Sequence, residues 1–139
     1  MTAEASAGSA LAAVLSTREV ERLYSGLSVL VSTASEGRPA AALAAFGALD
    51  LLLDPDLLRR AQEPEATPSL SWGGRERFAS SLLELRDLAF ELDALALFAC
   101  SASVETMGLT PADVEERFDG VLSTPRFLRQ VEGGRLLFV

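Results

Sequence analysis

The chain has 139 residues, 49% of them hydrophobic, and a net charge of −8, with twelve arginines and no lysine or histidine. That length and apolar content suit one folded domain and exclude a disordered chain, while the acidity argues against a nucleic-acid backbone as partner. Without histidine the commonest general base and metal ligand are missing, so triad hydrolysis and metal catalysis are poor expectations, and neither a metal nor a cofactor is implied.

Residues 1–8 are small and polar and read as a disordered tail ahead of a domain spanning 9–139. Ala10 to Leu15 is a short apolar strand. Ser9 to Leu15 has no basic residue before it and makes a poor signal peptide. Ser16-Thr-Arg-Glu19 matches a capping box, in which each side chain satisfies the other residue's free N–H. Val20, Leu23, Leu27, Leu30, Val31 and Ala34 follow at helical spacing, and Gly37 ends the helix. Ala40 to Phe46 reads as a buried second strand, and Leu49 to Ala61 as the next helix. The run from Ala40 to Leu53 is shorter than the ~20 residues a membrane span needs. The expected setting is therefore the cytoplasm, with no membrane partner.

Gln62 to Arg75, with two prolines and two glycines around Trp72, reads as a long connection that must climb the sheet. Loops of that length are often functional, which puts Trp72 near the carboxyl edge of the sheet; a solvated connector with the tryptophan in an oligomer contact is the bland alternative. Glu76 to Phe90 is a third helix and Ala94 to Ala99 an apolar third strand. A short turn or helix runs on through Met107. Thr110-Pro111 and Thr124-Pro125 each carry a capping threonine with proline at the first helical position. Gly120 to Ser123 is a brief fourth strand, and Arg135 to Val139 the fifth. Strands alternating with helices give an α/β domain with a mainly parallel five-stranded sheet.

Cys100, the sole cysteine, closes the third strand. Ligands of open parallel sheets bind outside the carboxyl ends of the strands, and a helix N-terminus there favours a thiolate. Ser101 and Ser103 can cap that helix or donate to the sulfur. Neighbouring strand ends add Ser16, Thr17, Phe46, Gly47, Ser123, Thr124 and Arg126, the last as a fixed positive charge. Against this stands the plain reading of Cys100 as a small packed hydrophobe, of Ser101 and Ser103 as caps, and of Arg126 as a surface residue. No G-x-G-x-x-G, Walker A loop or C-x-x-C is present.

Phe98-Ala-Cys-Ser-Ala-Ser-Val-Glu-Thr-Met-Gly-Leu-Thr-Pro-Ala-Asp113 resembles the A-C-x-x-S-x-x-x-M-G-[IL] signature of the DsrE/DsrF-like family. Leu23-Tyr-Ser-Gly-Leu27, Ala45-Phe-Gly-Ala-Leu-Asp-Leu-Leu52 and Leu136-Leu-Phe-Val139 are similar to other parts of it. The resemblance implies a three-layer α/β/α sandwich and a homo-oligomer such as a trimer or hexamer. It also implies a sulfur-relay role, in which Cys100 carries a persulfide between donor and acceptor proteins. The other expectation is a non-catalytic module of the same fold that binds a small ligand or a protein. A redox sensor forming a disulfide between chains is a third, weaker one. The Trp72 connection matches nothing in the family pattern.

Overall fold

The computed structural model describes residues 9–139; the tail read at 1–8 lies outside the described residues. The strands are β1 (Leu11–Leu15), β2 (Ala40–Ala44), β3 (Leu95–Cys100), β4 (Gly120–Leu122) and β5 (Arg135–Phe138). They form one all-parallel sheet in the order β4-β3-β2-β1-β5. The helices are α1 (Val20–Ser35), α2 (Phe46–Leu53), α3 (Leu57–Ala61), α4 (Trp72–Glu91), α5 (Ser101–Thr106), α6 (Pro111–Glu115) and α7 (Thr124–Gln130).

The strand order fixes how the helices are shared out. From β1 to β4 the chain steps one way along the sheet, so right-handed crossovers stack α1 to α6 on one face. The return from β4 to β5 places α7 on the other, the one helix there among the described residues. The result is the α/β/α sandwich, with one thick and one thin outer layer. Side chains alternate accordingly. Leu11, Ala13, Leu15, Ala42, Ala44, Leu97 and Ala99 join the large core beneath α1 and α4. Ala12, Ala41, Leu43 and Cys100 join the small one with Phe127 and Val131. The alanines on the thick side leave room for Leu23, Leu27 and Leu30 of α1, all fully buried.

Several elements differ from the sequence reading. The expected box at Ser16 to Glu19 does not form: the N–H groups of Ser16 and Thr17 donate to the Val139 carbonyl at 2.8 and 3.1 Å, and Glu19 takes the cap position without a side-chain bond. The helix expected over Leu49 to Ala61 begins earlier, at Phe46, and breaks after Leu53, since Pro55 has no N–H to continue it. The fourth helix starts at Trp72 rather than Glu76, because Ser71 caps it by accepting the Gly74 N–H at 3.1 Å. Ser123, not Thr124, caps α7 and moves the proline to its second position. Thr110 does cap α6, in a complete capping box with Asp113.

Between α2 and α3, Arg60 reaches Asp54 at 2.9 Å and Asp50 at 3.1 Å. Burial pushes the Asp54 carboxyl up, but hydrogen bonds from Arg60 and the Asp56 N–H, with the arginine charge, outweigh it and hold Asp54 below its ordinary value. A depressed carboxyl stabilises the fold fully above its unfolded pKa of about 4, and that contribution is lost as pH falls through the lower folded value. Asp54→Asn is therefore expected to be less stable than the parent at neutral pH. The gap should narrow as the pH drops below about 4, and urea unfolding across that range measures it.

Candidate functional site

The carboxyl ends of β1, β2 and β3 lie side by side and are tied by backbone. The Ala45 N–H donates to the Leu15 carbonyl at 2.8 Å, closing the end of β2 against β1. The next residue, Phe46, has a φ of 45°, the one left-handed non-glycine among the described residues. Its N–H donates to the Ser103 hydroxyl at 2.9 Å, and Ser103 is fully buried. Ser103 is thus neither a cap nor a donor to sulfur. It holds a sharp strand-to-helix elbow from 57 residues away.

Gly47 completes that elbow. A Cβ on it would lie 2.7 Å from Arg18 Cβ and 3.0 Å from the Arg18 backbone nitrogen and Cα. Glycine is required so that α2 can start against the β1–α1 loop. In that loop the Thr17 hydroxyl accepts the Glu19 N–H at 3.0 Å. Thr17, Phe46, Gly47, Ser103 and Cys100 therefore do share one edge of the sheet.

Cys100 is the last residue of β3 and the cap residue of α5, but its side chain makes no capping hydrogen bond. Strand alternation sends the sulfur to the thin side, where the residue is 5% exposed among Leu43, Ala45 and Phe127. This departs from the expectation of a sulfur facing solvent across the helix start. Ser101, half-buried, begins α5. Ser123 uses its hydroxyl on the Arg126 N–H at 3.3 Å, while the Thr124 and Arg126 side chains are exposed. Trp72 is 68% exposed at the start of α4, a helix of the thick face, whereas the Cys100 side chain packs into the thin-side cluster. The long connection does climb, with Glu63, Glu65 and Ala66 meeting Arg18 and Glu19 around a cavity of about 520 Å³. That cavity mixes acids with arginines, and Cys100 does not line it.

The thin side carries what the sequence left unmarked. Leu136 and Phe138 of β5 project from the sheet on that side, in register with Ala12 and Val14, and are 39% and 72% exposed. Leu128 of α7 is exposed as well. A groove of about 410 Å³, floored by Ala41, Ala96 and Phe98 and left open by the described residues, runs beside Val131. Among the described residues no group of three or more His, Cys, Asp or Glu side chains could hold a metal, and no helix is long and apolar enough to cross a membrane.

No protein-family model matches the chain, and no curated protein matches it.

The elbow makes a prediction of its own. A bulky residue at positive φ is strained by roughly 1–2 kcal/mol, and a β-branched one by more. Phe46→Gly should therefore be more stable than Phe46→Val by about 2 kcal/mol, although valine keeps an apolar side chain. Chemical denaturation of the two variants reads the order directly.

Proposed function

We propose that this chain is a non-catalytic assembly module of the DsrE/DsrF-like type, working in the cytoplasm and associating with copies of itself through the thin side of its sheet. One observation carries the reading. Among the described residues a single seven-residue helix covers that face, leaving Leu136 and Phe138 exposed while the only thiol lies buried beneath it. Large apolar side chains on an open edge strand attract a partner, since solvated edges are otherwise blunted by charge or proline. In light scattering coupled to gel filtration, the full chain should run as an oligomer. Leu136→Asp/Phe138→Asp should run as a folded monomer, and Cys100→Ser should assemble like the parent. A parent that stays monomeric at tens of micromolar removes this reading.

The second reading is sulfur relay, favoured by the position of Cys100 at the carboxyl end of β3 inside the A-C-x-x-S segment. The Cys100 thiolate would attack the outer sulfur of a donor persulfide. The new S–S bond leaves Cys100 as the persulfide, and the donor departs as its thiolate. Burial opposes that attack unless the cover over Cys100 opens. Mass spectrometry after incubation with a persulfide donor should find one added sulfur on Cys100; an unmodified, folded chain rejects the reading.

A further inference from the structure

The helix of the thin side is basic as well as amphipathic, although Glu132 follows it and Asp93 lines the groove beside it. Helix α7 carries Arg126 and Arg129 and no acid, inside a chain of net charge −8, and neither arginine joins an ion pair among the described residues. Opposite it, on the thick side, the outer stripe of α4 exposes Glu84, Leu88 and Glu91, with Leu88 41% exposed. Glu91 lies in the last turn of α4, where an acid opposes the helix dipole and no base of that turn balances it. Glu84 joins no ion pair among the described residues, so a partner's positive charge can meet it. Arg117 stands at the margin of this stripe, its guanidinium 5.3 Å from the centre of the Phe90 ring.

These two surfaces lie on opposite faces of one sheet, so they cannot meet within a copy. We propose that they meet between copies: the α4 stripe of one chain docks on the α7–β5 face of the next. Glu84 and Glu91 would then face Arg126 and Arg129, and Leu88 would enter the apolar patch around Leu136 and Phe138. Such a contact is heterologous, joining different patches of identical chains, and it propagates head to tail into a ring or a filament. A face-to-face pairing of two thin sides would instead bring arginine against arginine. The inference rests on the assembly reading and specifies its geometry.

Two charge-reversed full-length chains test it by sedimentation velocity, with circular dichroism confirming that each folds. Arg126→Glu/Arg129→Glu and Glu84→Arg/Glu91→Arg should each associate at least about tenfold more weakly than the parent, because like charges then oppose across the contact. Mixed together they should recover association, since each reversed surface finds its reversed complement. Failure of the mixture to recover overturns the inference. So does parent-like assembly of Glu84→Arg/Glu91→Arg; if Leu136→Asp/Phe138→Asp still abolishes assembly, the apolar face works in another geometry and only the head-to-tail contact is lost. A monomeric parent overturns both.

Discussion

Phe127→Ala is expected to destabilise the protein by about 3–5 kcal/mol and to open the only thiol to solvent. Phe127 is fully buried and meets Phe98 edge-on, with ring centroids 6.4 Å apart. A seven-residue helix has no stability of its own in water, so α7 stays on the sheet through what it buries. Beyond Phe127, the main apolar anchor is Val131, just past the helix end. Removing the ring leaves a large cavity under the whole thin layer. Cys100, Leu43 and Ala45 share that cluster, so labelling of Cys100 by a thiol reagent under native conditions should become much faster in the variant. Phe138→Ala is the matched control when both variants are measured on dilute, unassembled chain: there its ring is 72% exposed, and the change should stay within about 0.5 kcal/mol. A Phe127→Ala chain that keeps its stability and its protected thiol would mean that α7 is not what covers Cys100.

The contrast between those two phenylalanines shows what a reader of the sequence can and cannot see. The strands were legible because short apolar runs are bounded by glycine, proline, serine or aspartate, and α1 because its stripe keeps helical spacing over sixteen residues. The position of Cys100 at a strand end was legible too. Its direction was not. Leu95-Ala-Leu-Phe-Ala-Cys100 is apolar at every position, so no polar residue marks which parity faces which layer. That choice depends on the crossover from β4 back to β5, a property of the whole topology. The same holds for Leu136 and Phe138: Arg135 to Val139 reads as a strand, but the exposure of these two side chains depends on how little of the thin side α7 covers.

Long-range hydrogen bonds account for two further differences. Ser16-Thr-Arg-Glu19 has the pattern of a capping box, but the Val139 carbonyl takes the N–H groups of Ser16 and Thr17. Thr110 to Asp113 has no such competitor and forms its box. Phe46 looked like a strand residue, and only the buried Ser103 hydroxyl, far along the chain, turns it into an elbow.

Arg75→Ala should produce the second large effect, a loss of about 2–4 kcal/mol with early proteolytic cleavage between residues 62 and 71. Arg75 sits in the first turn of α4, where a positive charge opposes the helix dipole, and it is 8% exposed. Neither fact favours an arginine there on local grounds. Its Nε donates to the Thr67 hydroxyl at 2.8 Å, and one terminal nitrogen donates to the carbonyls of Thr67 and Leu70, each at 3.0 Å. Thr67 is itself fully buried. The guanidinium is therefore the internal partner of a connection that has no strand or long helix to satisfy its backbone. Alanine would leave these acceptors buried and unmatched, and the connection would loosen before α4 or the sheet. Lysine should not rescue it, because a single ammonium cannot reproduce donation from two separate nitrogens of a planar group. Hydrogen exchange should report the loss as faster exchange in residues 62–71 and at the start of α4, with β1 and β2 unchanged until global unfolding. If Arg75→Lys keeps full stability and the protease leaves the connection intact, the charge alone is enough there and the hydrogen-bond geometry is not what holds the segment down.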